Sequence, residues 1–248
     1  MLMIIPGAIW GFIPARGGSK SIPLKNLARF GERPLLDYCL LAARAWGGFA
    51  RLFCSTDSPE IAARARRFET EVYPRPASLA EDATPIYGVV AHFLRDLEAR
   101  EGRVAEVIAL LQPTSPFVLA DHIDQCVKSL LADDSAGSAQ TIVACPHNAH
   151  AYNQRLVVDG KVRFRFPEER RLAYNKQTKP PHYLFGNLLV FRSAQALAQG
   201  SLFPEPSLAV PISHPYEFDA DSPEDFRLGS LILAHGLVDL PHLRQAEL

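Results

Sequence analysis

Short apolar runs alternate with amphipathic segments along the first half of the chain. Residues 9–14, 51–55 and 104–111 have the length and apolar continuity of buried strands, and residues 71–73 could add a short one. Between the runs lie segments with apolar side chains at helical spacing, which predict helices over residues 35–46, 59–68, 85–100 and 120–131. Strand and helix in alternation predict a mostly parallel, helix-covered sheet of the α/β class.

A polar and basic stretch interrupts this alternation in the second half. Residues 156–166 predict a hairpin around Asp159-Gly160, and residues 167–181 show no obvious period. Strands are predicted again at residues 187–191 and 208–212, with a short helix at 194–199, and Ser222 is the predicted cap of the last helix. We therefore expect a single domain over residues 1–248 with an inserted arm at about 150–186, which serves dimerisation or covers a substrate.

Composition and charge narrow the class of protein. Of the 248 residues, 48% are hydrophobic and 21% charged, which excludes a largely disordered chain. The net charge of -1 argues against nucleic acid or an anionic membrane as the main partner. The four cysteines are widely spaced without a C-x-x-C pair, which favours reduced thiols over a disulfide framework or a zinc site. The apolar N-terminus is short and lacks a basic region, so we predict a strand there and a cytoplasmic protein.

The loop after the first predicted strand combines glycines with cations. It runs Arg16-Gly17-Gly18-Ser19-Lys20 and continues to Lys25-Asn26. Glycines let the backbone approach a ligand closely, and three cations within ten positions match the charge of a triphosphate. The alternative is a glycine turn with solvated basic side chains. The spacing fits neither the P-loop nor the dinucleotide-binding motif, which argues against a P-loop NTPase and a NAD-dependent dehydrogenase.

Two aspartates precede the last predicted helix. Asp219 and Asp221 are two positions apart, so on an extended segment both carboxylates point the same way. Such a pair can bind Mg²⁺ together with substrate phosphates. The alternative is that Asp221 or Ser222 caps the helix while Asp219 is solvated, and the sequence leaves both open.

These segments resemble, in the same order, the motifs of the CMP-sialic acid synthetases. This family contains cytidylyltransferases that activate nonulosonic acids. The matches span roughly residues 9–226. They are the run RGGSK-x-IPLKN (16–26), STDS (55–58), Arg75-Pro76, LAED (79–82), LLQPTSP (110–116) and Asp219-x-Asp221.

The resemblance implies a fold and a reaction. The fold is a doubly wound, Rossmann-like sheet of the nucleotidyltransferase type, which forms a homodimer through the inserted arm. The reaction transfers CMP from CTP to the anomeric hydroxyl of a sialic-acid-like sugar and releases pyrophosphate, with Mg²⁺ as cofactor.

The resemblance also assigns roles to residues. Arg16, Lys25, Asp219 and Asp221 are the expected catalytic residues, and the two aspartates bind Mg²⁺. The expected nucleotide-binding residues are Arg16, Gly17, Ser19, Lys20, Lys25, Asn26, Arg75 and Thr84. Gln112 is expected to contact the sugar acid near its reacting hydroxyl. In isolation, Arg75 could instead form a surface ion pair, and Gln112 could bond the loop backbone.

The sugar half of the site departs from relatives that use N-acetylneuraminate. Residues 176–183 read KQTKPPHY, and the following Gly186-Asn187 is closer to relatives that handle modified sugars such as pseudaminic acid. Lys176 and Tyr183 are the candidate sugar-binding residues, with a solvated basic loop as the alternative. Two other functions stay open: a nucleotidyltransferase for another sugar acid or a sugar phosphate, and a non-catalytic nucleotide-binding protein.

Overall fold

The computed structural model describes residues 2–245, and eleven strands lie within them. In chain order they are β1 (Ile4–Pro14), β2 (Arg29–Phe30), β3 (Arg33–Pro34), β4 (Arg51–Thr56), β5 (Glu71–Pro74), β6 (Val104–Leu110), β7 (Ser138–Ala144), β8 (Arg155–Val158), β9 (Lys161–Phe164), β10 (Tyr183–Arg192) and β11 (Ser207–Pro211). Seven of these described strands form one sheet in the order β11-β7-β10-β6-β1-β4-β5. Strand β10 runs antiparallel to both of its neighbours and the other pairings are parallel, which confirms the predicted mostly parallel sheet.

Eight α-helices lie within the same described residues. They are α1 (Leu35–Trp46), α2 (Pro59–Arg66), α3 (Ile86–Glu101), α4 (Ala120–Ala132), α5 (Pro167–Leu172), α6 (Ser193–Gln199), α7 (Pro223–Ala234) and α8 (Pro241–Gln245). Buried side chains of α1, α2 and α4 pack on one face of the sheet, and those of α3 and α6 pack on the other. The doubly wound fold is therefore confirmed.

Strand β1 shows why a central strand needs a continuous apolar run. Phe12 packs towards α3, where its ring centroid lies 4.6 Å from that of Phe93. The next residue, Ile13, belongs to the core on the opposite face, together with Leu36 and Leu40 of α1. Because successive side chains of a strand point to opposite faces, both parities must be apolar when helices cover both faces.

Two strands are longer than the apolar pattern predicts. Strand β1 begins at Ile4, and its register with β6 shifts between Ile5 and Ile9, where Gly7 has a φ of 71°. Strand β10 begins at Tyr183 because residues 183–185 pair with β7 while their side chains remain exposed. A bulge and an exposed strand end both lack the buried run by which strands are recognised.

Residues 145–182 leave the sheet between β7 and β10. The predicted hairpin is confirmed as β8 and β9, with positive φ angles at Asp159 and Gly160 in its two-residue turn. Within residues 167–181, which show no obvious period in the sequence, α5 occupies Pro167–Leu172. This helix has proline and two glutamates in its first turn and two arginines in its last, which suits the helix dipole. It is too short to show an apolar period.

The described residues agree with the expected thiol chemistry. All four cysteines are free, and Cys39, Cys54 and Cys126 are buried. Burial raises the pKa of both Cys54 and Cys126 to about 12, so these thiols stay protonated and unreactive. No helix in this part of the chain combines the length and apolarity that crossing a membrane requires.

A buried polar network joins β10 to α4 and to the C-terminal segment. The side-chain amide of Asn187 donates to the carbonyl of Tyr216 at 2.9 Å and to Nδ1 of His122 at 3.1 Å. The backbone N–H of Leu119 donates to the same Nδ1 at 3.3 Å. Two donors facing Nδ1 require an unprotonated ring nitrogen, and burial lowers the pKa of His122 to about 4. Asn187 is therefore a structural residue rather than a sugar contact.

This network predicts a loss of stability at acidic pH. Above the ordinary His pKa of about 6.5 the ring is neutral in both folded and unfolded chains. As pH falls towards 4, the unfolded chain binds a proton that folded His122 excludes, and at pH 5 the free energy of unfolding should be lower by about 2 kcal/mol from this residue alone.

Chemical denaturation of the wild type and of His122→Gln between pH 8 and pH 5 measures this contribution. The glutamine variant should lose less stability than the wild type over that range. Parallel losses in the two proteins would show that His122 does not couple folding to protons.

Candidate active site

A cavity of about 260 Å³ opens at the carboxyl ends of β1, β5 and β6. This is the edge at which open α/β sheets bind their ligands. Its wall contains seven of the residues predicted from the sequence: Arg16, Ser19, Lys25, Asn26, Arg75, Thr84 and Gln112. The folded chain thus gathers most of the predicted nucleotide site in one place.

The cations of the glycine loop are paired with an acidic residue of the cavity wall. Arg16 Nη1 lies 2.6 Å from one carboxylate oxygen of Asp82, and Lys20 Nζ lies 2.7 Å from the other. These two cations, Lys20 foremost, hold the pKa of Asp82 below its usual range. The basic side chains are therefore not simply solvated. Arg16 and Lys20 converge on this one carboxylate.

The third cation joins the loop to the acidic pair near the C-terminus. Lys25 Nζ lies 2.7 Å from Asp221 Oδ1, and only 14% of the lysine side chain is exposed. The hydroxyl of Ser21 donates to the backbone carbonyl of Asp221 at 2.8 Å. This contact with Lys25 holds the pKa of Asp221 below its usual range. Residues 196 positions apart are thus held at one edge of the cavity.

The other aspartate lies against the loop that follows β6. The backbone N–H of Ala220 donates to the carbonyl of Thr114 at 2.7 Å, and the Thr114 side chain hydrogen-bonds Asp219. Asp219 stays accessible to solvent, but the protein around it displaces enough water to raise its pKa to about 6. The neighbouring Asp221 carboxylate, which hydrogen-bonds Asp219, adds to this rise. The two acids therefore face one spot, as their spacing predicts.

Helix capping does not account for the aspartate pair. Ser222 caps α7, since its hydroxyl accepts from the backbone N–H of Asp225 at 3.1 Å. The side chain of Asp225 in turn accepts from the N–H of Ser222 at 2.8 Å. The capping alternative is thus confirmed for Ser222 and wrong for Asp221, which pairs with Lys25 instead.

The donor set of the pair fits a magnesium ion only together with a ligand. Across residues 2–245 there is no group of three or more His, Cys, Asp or Glu side chains that could hold a metal ion. Mg²⁺ is commonly held by one or two carboxylates with the remaining positions taken by phosphates and water. Asp219 and Asp221 supply those carboxylates, and a cation between them would relieve their mutual repulsion.

Arg75 is buried beneath the cavity. Its Nη2 donates to the carbonyl of Ser55 at 2.9 Å and its Nε to the hydroxyl of Ser55 at 3.2 Å. Burial lowers the pKa of Arg75. The alternative of a surface ion pair is wrong, because only 9% of this residue is exposed. A guanidinium fixed in this way can offer its remaining donors to a ligand in the cavity.

Two predicted sugar-binding residues lie elsewhere. Lys176 and Tyr183 line a second cavity of about 160 Å³ in the arm, together with Lys179, His147 and His182. The structure does not bring them to the first cavity. Their role in sugar binding stays a prediction.

Sequence reasoning assigned no role to three residues that the structure places at the site. Asp82 and Thr114 lie in its wall, and Asp57 accepts a hydrogen bond from the backbone N–H of Gly17. All three belong to motifs noted in the sequence, and their place in these motifs could have indicated that they lie near the site. Their side chains, however, act on other protein groups, and no local pattern shows such contacts.

Three comparisons place the chain among known proteins. Residues 10–227 match the family model described as cytidylyltransferase. The chain is 27% identical over 224 residues to the N-acylneuraminate cytidylyltransferase of Escherichia coli O18:K1:H7, which covers 90% of this chain and 52% of that protein. It is 26% identical over 223 residues to the CMP-N,N'-diacetyllegionaminic acid synthase of Legionella pneumophila, which covers 89% and 94%. The chain thus spans about half the length of the Escherichia coli relative.

A solved structure shares the fold. The CMP:2-keto-3-deoxy-manno-octonic acid synthetase complexed with CTP superposes with a TM-score of 0.67 at 15% identity, covering 92% of this chain and 99% of that one. At this identity the likeness concerns the fold alone.

The pairing of Asp82 predicts stronger anion binding when its charge is removed. Asp82→Asn should bind inorganic triphosphate about threefold to tenfold more tightly at low salt, because the Asp82 carboxylate no longer competes for Arg16 and Lys20. Calorimetric titration measures the affinity. Glu81→Gln is the matched control, since it removes an equal charge from the same wall and should change the affinity less. Weaker binding by Asp82→Asn than by the control would contradict the competition.

Proposed function

Because the chain belongs to the cytidylyltransferase family, we propose that it transfers CMP from CTP to the anomeric hydroxyl of a sialic-acid-like nonulosonic acid, with release of pyrophosphate. The relatives named above that act on such acids support the choice of acceptor. We assign the whole reaction to this chain because its own cavity is lined by the expected nucleotide-binding residues.

One observation supports the proposal above the others. The cationic glycine loop and the Asp219–Asp221 pair meet through the contact of Asp221 with Lys25, which lines the cavity. A triphosphate needs cations along its length, and a metal bound to it needs carboxylates beside it. A nucleoside triphosphate with its metal requires both kinds of charge close together.

The reaction follows from this arrangement. The anomeric hydroxyl releases its proton to solvent, its oxygen forms a bond to the α-phosphorus of CTP, and the bond from that phosphorus to the bridging oxygen breaks, so that pyrophosphate leaves. Arg16 and Lys20 release Asp82 and bind the phosphate oxygens instead. Lys25 stabilises the charge that develops on these oxygens. Such transfer depends on positioning and electrostatic stabilisation rather than on a covalent intermediate with the protein.

The remaining residues of the site have proposed roles at the two substrates. Arg75 and the segment near Thr84 contact the cytosine, Asn26 seats the nucleotide, and Gln112 orients the sugar acid. Asp219 and Asp221 would hold Mg²⁺, which would supply positive charge at the phosphates. Lys176 and Tyr183 are kept as candidates for the sugar carboxylate, since their cavity is rich in cations.

Pyrophosphate release across a panel of substrates tests the function. The four nucleoside triphosphates are each combined with nonulosonic acids, with 3-deoxy-octulosonate and with sugar phosphates. We expect release only with CTP and a nonulosonic acid. Preference for another nucleotide or for a sugar phosphate would overturn the assignment, and binding of CTP without turnover would favour a non-catalytic protein.

The aspartate pair predicts a loss of turnover with an intact fold. Asp219→Asn removes one carboxylate from the proposed metal site and should lower kcat by at least about 100-fold, as losing other electrostatic groups does. Glu224→Gln in the first turn of α7 is the control, because this glutamate pairs with Arg227 on the surface. Equal kcat in the two variants at saturating Mg²⁺ would remove Asp219 from the metal site.

We also propose that the arm joins two copies of the chain. Val157 of β8 and Val162 of β9 are partners across the hairpin, and they are 73% and 65% exposed. Leu172 and Tyr174 of the arm are exposed as well. Large exposed apolar side chains concentrated in one segment favour association with another protein surface.

Light scattering after size exclusion tests this association. The wild type should be a dimer, and Val157→Asp with Val162→Asp should be a monomer. Leu237→Asp alters an equally exposed leucine outside the arm and should leave the dimer intact. A monomeric wild type, or a dimer that survives the double substitution, would contradict the proposal.

The proposed compartment is the cytoplasm. CTP is consumed in the reaction, so the enzyme must have access to the nucleotide pool of the cell. The free cysteines of the structure suit a reducing compartment.

A further inference from the structure

One peptide group of the glycine loop is held at both of its polar atoms. The carbonyl of Arg16 accepts a hydrogen bond from Asn26 Nδ2 at 2.9 Å. The N–H of Gly17, which belongs to the same peptide, donates to Asp57 Oδ1 at 2.8 Å. Because a peptide is planar, fixing both atoms fixes the orientation of the whole group.

The two side chains that hold this peptide come from opposite sides. Asn26 is nearly buried and lies in the 3₁₀ turn Lys25–Leu27 that ends the loop. Asp57 follows the carboxyl end of β4, in the STDS segment, and is exposed. The bonds therefore connect the loop after β1 both to its own end and to the neighbouring strand.

Close packing adds to the constraint. A Cβ atom at position 17 would lie 2.9 Å from Cβ of Ser58, so glycine is required by the approach of the two segments. Ser58 is itself fixed, since its N–H donates to Thr56 Oγ1 at 3.1 Å and its hydroxyl caps α2. Asp57 therefore lies between Thr56 and Ser58, which are hydrogen-bonded to each other.

The direction of this peptide decides which loop atoms can meet a ligand. The N–H of Gly17 is directed to Asp57, whereas Gly18 and Ser19 line the cavity. The Arg16 side chain starts at the Cα that the same peptide fixes. The N–H of Gly17 is bonded to the protein, and the expected contact of Gly17 with the nucleotide stays a prediction.

We propose that Asp57 is a positioning residue for the triphosphate. Together with Asn26 it fixes the Arg16–Gly17 peptide, and through that peptide it aims the Arg16 side chain and the backbone of Gly18 and Ser19 into the cavity. The inference rests on the proposed function for its substrate, but the fixed peptide can be measured without any turnover.

Asp57 could act in a second way, through its charge on Arg75. The Asp57 carboxylate favours the cationic form of the buried Arg75. A charge effect and a hydrogen bond respond differently to substitution. Asp57→Asn removes the charge but keeps an oxygen that can accept from Gly17, whereas Asp57→Ala removes both. The two variants therefore separate the explanations.

Hydrogen exchange of the Gly17 amide, followed by NMR in the free protein, tests the fixed peptide directly. Exchange should be at least about tenfold faster in Asp57→Ala than in the wild type, and within about threefold of the wild type in Asp57→Asn. Glu69→Gln, an exposed acid beyond the far end of helix α2 that pairs with Arg44, is the control and should leave the rate unchanged. Unchanged exchange in Asp57→Ala would overturn the proposal.

Steady-state kinetics test the consequence for the substrate. In Asp57→Ala the KM for CTP should rise about tenfold, while the KM for the sugar acid stays within about twofold, and Asp57→Asn should recover most of the CTP affinity. If Asp57→Ala fails to fold, Asp57→Ser, whose shorter side chain does not span the distance to Gly17, takes its place in both measurements.

The outcomes distinguish this inference from the proposed function. Equal KM values for CTP in Asp57→Ala and wild type, with an active wild type, would refute the positioning role and leave the function intact. An equal rise in the KM for CTP in Asp57→Ala and Asp57→Asn would show that Asp57 acts through its charge on Arg75. That result would overturn the role of the hydrogen bond to Gly17. An inactive wild type would refute the function, while the exchange rates would still decide whether the peptide is fixed.

Discussion

The contact between Lys25 and Asp221 is the interaction on which the candidate site depends. It joins a cationic loop near the start of the chain to an acidic segment near its end, at an Nζ–Oδ1 distance of 2.7 Å. Neither segment forms a site alone. The three cations can bind phosphates but not the metal, and the two carboxylates can bind the metal but not the phosphates. The parallel sheet makes the contact possible, since β1 and β6 both end at the edge where the two segments meet.

At the candidate site, as in the chain as a whole, positive and negative charges nearly balance. Arg16 and Lys20 are balanced by Asp82, and Lys25 is balanced by Asp221. In the proposed reaction the triphosphate replaces Asp82, and the metal takes the place beside Asp219 and Asp221. The protein thus holds oppositely charged groups ready at short distances without an excess of either sign over the whole chain.

Much of this could be predicted from the sequence, because local patterns determine it. Buried strands such as β6 can be recognised as apolar runs. The turn at Asp159-Gly160 can be recognised because few residue types tolerate a positive φ. The aspartate spacing also predicted correctly that both carboxylates face one spot. What could not be predicted depends on contacts between distant segments: the fixed Arg16–Gly17 peptide, the bond of Thr114 to Asp219, and the separate cavity of Lys176 and Tyr183.

A crystal structure with CTP and Mn²⁺ tests the central claim most directly, because anomalous scattering locates the metal independently of the nucleotide. The account predicts triphosphate density along the glycine loop, in contact with Arg16 and Lys20, and a Mn²⁺ peak bound by carboxylate oxygens of both Asp219 and Asp221. Nucleotide density outside the cavity, or a metal that contacts neither aspartate, would contradict it.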